Sequence, residues 1–285
     1  MGHYLVVGGA GGVGSALVER LAVRGDAVET TVLEEAEAAA IRSRYEGRVK
    51  AHVVDLSDAE TALGKLKAIV DAMPSLDAAI NCAAIAPWGP TELTPLATYR
   101  RTYEVNIIGG VAMFQAVMPA LRKTRGRVVL IGSMGGRVAL PFLSAYTCTK
   151  FALEGMGDIM RREAAPQGVK VSIVQPGGIR TNMVYQQIEG AQKSLEALDR
   201  EMQDRYGYLY ASYAEFAQAG LSEKASSPDD VAAVVMTALD AGEPASRYIA
   251  GEDAKEMLGA LGSMSDGDVD GMLAQMYTVG TGAEA

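Results

Sequence analysis

The sequence predicts a doubly wound α/β fold, a parallel seven-stranded sheet with helices on both faces, on three observations. Short β-branched runs alternate with longer stretches whose apolar residues recur at three and four. The first run leads directly into a glycine-rich loop, GGAGGVG, and a 49% apolar content over 285 residues supplies a substantial core. An alternation of this kind places ligands at the carboxyl ends of the strands. The strands read as 3–8, 27–32, 50–54, 77–82, 127–132, 170–175 and 247–251. Helical patterns fill the intervals, among them VGSALVERLAVRG, DAETALGKLKAIVDAM and one long run, TYRRTYEVNIIGGVAMFQAVMPALRK.

Charge and composition exclude several classes of function. With 26 basic against 35 acidic residues the net charge is −9, and no lysine or arginine stripe offers itself to phosphates, so nucleic acid is not an expected partner. The only cysteines, Cys82 and Cys148, and the only histidines, His3 and His52, have no metal-ligand spacing and suggest no disulfide framework. No stretch of 18 uninterrupted apolar residues appears, nor a basic segment followed by a long apolar one. The expectation is a soluble, cytoplasmic chain of one domain with no membrane partner.

The glycine loop comes first in the chain and has a physical purpose. Without side chains, backbone N–H groups can approach a pyrophosphate, and a helix starting near Gly12 directs its positive end at the same anion. Two registers fit: Gly9, Gly11 and Gly14 satisfy G-x-G-x-x-G, while Gly8, Gly12 and Gly14 satisfy G-x-x-x-G-x-G.

Farther along, SAYTCTK puts Tyr146 and Lys150 four residues apart, on one face of a helix and one turn from each other. Ser133 precedes Tyr146 by 13 residues and Asn106 precedes it by 40. Together with the second glycine register, Asn81-Cys82-Ala83-Ala84 and Pro176-Gly-Gly-Ile179-Arg-Thr181, these residues resemble the short-chain dehydrogenase/reductase family over about residues 3–183, and RREAAPQGVKVSIVQPGGIRTNM with the later RYIAGEDAK resembles its retinol- and hydroxysteroid-dehydrogenase-like branch. The resemblance implies a Rossmann-type sheet and a catalytic group of Asn106, Ser133, Tyr146 and Lys150. Tyr146 would be the general acid/base, Ser133 would hold the substrate oxygen, and Asn106 would order a relay water. Lys150 would tune the phenol and hydrogen bond the nicotinamide ribose. The chemistry suits the residue types, because a phenol that titrates near about 10 needs a neighbouring cation to work as a base nearer neutrality.

The same resemblance implies that the cofactor is held by Gly8, Gly11, Gly12, Val13 and Gly14, with Asp55 and Leu56 at the adenine, Asn81, Ala83 and Ala84 along its ribose side, and Tyr146 and Lys150 also in contact with it. Pro176, Gly177, Ile179 and Thr181 would meet the carboxamide and pyrophosphate. Two departures stand out: Val7 replaces a threonine that would tie down the loop, and Cys82 and Ala84 replace the family's asparagine and glycine. Glu34, 20 residues beyond Gly14, is placed to accept from a ribose 2′-hydroxyl, with a solvated helix start as the alternative; the family's usual alignment puts the discriminating position nearer Val32. Neither the loop nor residues 31–35 carry a cation for a 2′-phosphate, so NAD is expected ahead of NADP.

After Thr181 an insertion of about 45 residues, 183–226, reads as a helical lid over the substrate, rich in tyrosine. Substrate contacts are expected from Met134, Phe142, Met183, Tyr185 and Tyr206. SSPDDV reads as a helix start capped by Ser227, and the small-residue end 262–285 as a flexible tail. The long apolar helices containing Asn106 and Tyr146 are expected to pair two copies into a homodimer or homotetramer. The expected function is NAD-dependent interconversion of a secondary alcohol and a ketone on a bulky apolar substrate. The alternatives are an NADPH-dependent carbonyl reductase acting on smaller ketones and a dinucleotide-sensing protein without turnover.

Overall fold

A computed structural model describes residues 1–219 and 225–277. Seven parallel strands run β1 His3–Val7, β2 Ala27–Val32, β3 Val49–Val53, β4 Ala78–Asn81, β5 Arg127–Ile131, β6 Lys170–Pro176 and β7 Arg247–Ala250. Each starts and ends within one residue of its sequence-predicted position. Their spatial order is 3-2-1-4-5-6-7, so the chain reverses direction across the sheet between β1 and β4. That reversal opens a crevice at the carboxyl ends of those two strands.

Helices cover both faces because each carries one apolar stripe. On one face α3 (Ala59–Asp71), α5 (Gly109–Thr124) and α6 (Ser144–Ala164) bury Leu66, Met113, Val117 and Leu153 against Leu5, Leu130 and Ile173. On the other face α1 (Gly12–Arg24) and α9 (Pro228–Asp240) bury Leu17, Leu21, Val231 and Val235 against Val6 and Val129. Between these, α2 (Glu35–Arg44) lies beside β3, and α4 (Leu96–Tyr103) precedes α5. Ser227 caps α9 as expected, its Oγ accepting from Asp230 N at 3.1 Å. A third apolar cluster joins α7 (Asn182–Glu196), α8 (Arg200–Ala219) and α11 (Asp266–Tyr277) to the 138–143 segment. After β7, α10 (Glu252–Leu261) completes the described helices.

Two expectations need correction. The long run through Asn106 is not one regular helix: a π-helical turn, Glu104–Ile108, separates α4 from α5, and Asn106 sits inside it. Such a turn inserts a residue and re-aims the side chains around it. The expected tail is also partly ordered, since Asp266–Tyr277 form α11 with Leu273 buried among lid residues. Residues 278–285 of that tail, and 220–224 of the lid segment, lie outside the described residues. By length and composition the run Leu96–Thr124 could cross a bilayer, but half its apolar window is buried, with Met113, Val117 and Leu121 in the core.

Candidate active site

The glycine loop is built by close backbone approach. Gly8 has φ +87°, and a Cβ there would stand 2.8 Å from Ala83 N, just past the end of β4. A Cβ on Gly14 would collide with the Gly8 carbonyl, and one on Gly12 would meet Thr181 Cγ2 at 2.8 Å. The tie that Val7 cannot make is supplied from β2: Gly8 N donates to Thr31 O at 3.1 Å and to its Oγ1 at 3.2 Å, and Gly9 N to Thr31 O at 2.8 Å. Helix α1 then begins behind Gly11 with no side-chain cap, so its first N–H groups face an open cleft. Gly8, Gly11, Gly12, Val13 and Gly14 all line that cleft, whose volume is about 620 Å³.

Ser133, Tyr146 and Lys150 line the same cleft. Ser133 leaves the end of β5 extended, and its Oγ accepts from Gly135 N at 3.0 Å. Tyr146 and Lys150 rise from the first turns of α6, with the Lys150 Nζ 5.5 Å from the centre of the Tyr146 ring. That ammonium donates to Ile131 O at 2.8 Å. Burial raises the Tyr146 phenol above its ordinary value, and a hydrogen bond with Ser133 pulls it back down. Burial pushes Lys150 down to about 8; a Cys82 thiolate would oppose this most, and the Glu154 carboxylate opposes it as well. Cys82, in the cleft wall where the family has asparagine, is driven up to about 12 by burial, which keeps it a thiol.

Asn106 lies behind this wall rather than in it. Only 2% exposed, it accepts from Ile85 N at 2.8 Å and donates to Ile85 O at 2.9 Å. It also donates to Thr149 Oγ1 at 3.0 Å, which donates to Tyr146 O at 2.6 Å. Asn106 therefore joins the strand end that carries Ile85 to the helix that carries the phenol. Thr149, the link in that chain, was not foreseen; its position beside Lys150 was the only signal.

Along the expected cofactor edge Asp55, Leu56, Ala83, Ala84, Pro176 and Gly177 line the cleft, as do Ile179 and Thr181. Asn81 does not: 4% exposed, it turns inward and accepts from Ala83 N at 3.2 Å, shaping the strand end instead. Glu34 does not reach the cleft either. It is the exposed N-cap of α2, its side chain accepting from the helix in a reciprocal capping box with Glu37. The carboxylate in the wall is Glu37, whose Oε2 accepts from Leu33 N and Glu34 N, both at 3.0 Å. An acidic residue three positions after a cap is the signal that would have found it. Val32 touches the wall but is 3% exposed and packs on Ala38 and Ala51, so the side chain presented to the cleft there is Leu33, 50% exposed. Arg42 and Arg44 point elsewhere: Arg42 donates to Ala51 O and pairs with Glu35, and Arg44 pairs with Glu19.

Of the expected substrate residues, Met183 lines the cleft. Phe142 instead sits between Tyr210 and Tyr213, with ring centres 4.7 and 4.6 Å away, in the lid's own apolar cluster. Tyr206 donates its hydroxyl to Glu92, Tyr185 is 55% exposed, and Met134 occupies a short 3₁₀ turn beyond Ser133; none of these three lines the cleft. Ile85, Arg180 and Asn182 line it without having been foreseen, although they adjoin the NCAA and PGGIRT segments.

A dinucleotide fits these residues. The loop excludes side chains where a pyrophosphate needs backbone N–H groups, the uncapped helix start faces the same space, and a hydroxyl, a phenol and an ammonium line the same cleft. No cluster of potential metal ligands occurs among the described residues.

The short chain dehydrogenase family model matches residues 3–192. A 3-amino-tetrahydro-pyrrolizinone reductase of Xenorhabdus hominickii is 31% identical, the alignment covering 88% of this chain and 87% of that protein. The 17-beta-hydroxysteroid dehydrogenase type 6 of Bos taurus is 30% identical over 88% of this chain and 80% of its own. A short-chain dehydrogenase from Streptomyces avermitilis superposes with a TM-score of 0.75 at 26% identity, covering 96% of this chain and 95% of that one. The chain belongs to the short-chain dehydrogenase family, oxidoreductases that act on alcohol and ketone groups with nicotinamide cofactors.

Proposed function

We propose that this chain is an NAD-dependent oxidoreductase that interconverts a secondary alcohol and a ketone on a bulky apolar substrate. The observation that carries the reading is the grouping of Ser133, Tyr146 and Lys150 in the cleft that the glycine loop also lines. The bound nicotinamide supplies hydride transfer. The Tyr146 phenolic oxygen takes the alcohol proton in oxidation and returns it in reduction. The Ser133 hydroxyl, whose hydrogen bond partly offsets the burial that raises the phenol's pKa, orients the substrate oxygen beside it, and the Lys150 ammonium, 5.5 Å from the centre of the phenol ring, stabilises the phenolate. Asn106 fixes Ile85 and, through Thr149, the first turns of α6.

The preference for NAD rests on the far end of the cleft. The Leu33 and Glu34 N–H groups, at the start of α2, already donate to the Glu37 carboxylate, and a 2′-phosphate brought there would meet that negative charge. Burying a phosphate beside a carboxylate without a cation is costly. The bulky substrate is supported by the likeness to the hydroxysteroid dehydrogenase and by Met183 and Ile85 at the lid side of the cleft. Turnover with NAD and with NADP against hydroxysteroids, retinoid alcohols and small secondary alcohols tests both points. NAD with a large apolar alcohol should be fastest, and faster turnover with NADP would overturn the cofactor assignment.

The same reading extends to assembly. Tyr103, just before the π-turn, and Ile108, its last residue, are 39% and 45% exposed, and Phe151 and Ile159 on α6 are 44% and 55% exposed. Pairing two copies through these helices buries that apolar surface. A dimer or tetramer mass by light scattering is expected, and a monomer at micromolar concentration would refute it.

A further inference from the structure

One turn beyond Lys150 on α6, Glu154 is 7% exposed and takes no part in the roles assigned above. Its Oε1 accepts from Gln175 Nε2 on β6 at 3.0 Å and its Oε2 from Arg247 Nε on β7 at 2.8 Å. Arg247 reaches on to Asp158 Oδ1 at 3.1 Å, and Asp158 is also paired with Arg161 and Arg162. Gly136 seals the inner side of this helix, since a Cβ there would stand 2.8 Å from Lys150 O and 3.1 Å from Glu154 Cγ. A Cβ on Gly132, next to the carbonyl of Ile131 that holds the Lys150 ammonium, would stand 3.3 Å from Glu154 Oε1. The carboxylate and the ammonium thus flank the same stretch of backbone at the end of β5.

We infer that Glu154 is a positioning residue for the reaction: its buried carboxylate, clamped by Gln175 and Arg247, holds the proton on Lys150 so that the phenol beside it keeps its cation. The inference rests on the oxidoreductase reading for its consequence in turnover, but not for the coupling itself. Lys150 otherwise faces Tyr146, Ser133, the Cys82 thiol and the Ile131 carbonyl, none of them a carboxylate. Glu154 faces Gln175, Arg247 and Asp158, and Arg137 lines the shallow hollow that reaches it from outside. Burial alone favours neutral lysine, and the field of Glu154 opposes it. Arg247 moderates that field, because it partly neutralises the carboxylate.

Opposite signs follow for two variants, which a merely structural role would not produce. Glu154→Gln keeps the volume and a partner for Gln175 but removes the charge. By Coulomb's law for unit charges about one helical turn apart in a partly buried site, the Lys150 titration midpoint should then fall by about one pH unit. Arg247→Gln leaves Glu154 less neutralised and should move the midpoint upward. The midpoint is read by NMR titration of the protein labelled with ¹³C at lysine Cε, without cofactor, the Lys150 signal being assigned from Lys150→Arg. The alkaline limb of the turnover profile with NAD should follow each variant in the same direction. An unmoved midpoint in folded Glu154→Gln, or both variants shifting it the same way, would overturn the inference. If Glu154→Gln does not fold, the upward shift in Arg247→Gln decides alone. Shifted midpoints without wild-type turnover would remove the oxidoreductase reading and leave the coupling; turnover with unmoved midpoints would do the reverse.

Discussion

The glycine-loop edge and the lid hold their shapes by opposite means. At the edge, Gly8, Gly12 and Gly14 let backbone approach backbone, and Thr31 fixes the loop through main-chain donors. In the lid, α7, α8 and α11 are held by side chains, with Phe142 between two tyrosines and Gln187 accepting from Tyr213 at 3.0 Å while donating to Ala86 O at 2.7 Å. The first arrangement leaves polar N–H groups open to a ligand and tolerates almost no added atom. The second consumes Phe142, Tyr210 and Tyr213 in its own packing, turns Tyr185 and Tyr208 outward, and leaves Met183, at the root of α7, to face the cleft. Aromatic density in a sequence therefore marked a core here, not a pocket.

The comparison is sharpened first at Lys150, where the largest effects are expected. Lys150→Met should lower turnover by about 10²–10⁴ and weaken cofactor binding, because one ammonium serves both. It should also reveal the cost of burying that ammonium. The group titrates at about 8 in the fold against 10.5 when unperturbed, so between those values the unfolded chain binds more protons and stability rises with pH. Below about pH 8 both states are protonated and the whole cost is present. Urea unfolding should thus find Lys150→Met more stable than wild type at pH 7 by about 2–3 kcal/mol, the gap closing toward pH 10. A gap that widened with pH would contradict the sign.

A lid substitution should separate stability from binding. Phe142→Ala removes a ring that is 4% exposed and should cost about 3–5 kcal/mol in unfolding free energy, with NADH affinity within a few-fold of wild type. A large loss of cofactor affinity without loss of stability would erase the distinction between the two regions. The smallest effect is expected at the edge of α2. Leu33→Arg should gain NADPH affinity by about one to two decades through a charge-assisted bond to the phosphate, read from nicotinamide fluorescence. No gain would mean that the 2′ position lies elsewhere.

Much of this was legible in the sequence, for identifiable reasons. Strand ends fell within one residue of expectation because β-branched runs and the glycines after them leave little choice of register. The Tyr146, Lys150 and Ser133 grouping followed from the family resemblance, whose order and spacing these residues match. The π-turn around Asn106 did not, since inserting one residue into a helical ladder changes no composition or period. Glu34 and Glu37 are alike as letters; which one meets the cleft depends on where α2 begins, and helix starts are read only to within a residue or two. The destinations of Phe142 and Tyr206 depend on contacts with residues about 70 and 114 positions away, which no local pattern reports. Helix α11 was hidden by its glycines and aspartates, although Val269, Met272 and Leu273 carry the spacing that packs it into the lid cluster.

The central claim, that a phenol on α6 performs the proton transfer in a cleft whose cofactor contacts lie elsewhere, is tested most directly by Tyr146→Phe. Turnover of a secondary alcohol with NAD and the dissociation constant for NADH should be measured on the same preparations as wild type. The account predicts turnover lowered by about 10²–10⁴ with NADH affinity within a few-fold. Turnover close to wild type would contradict it.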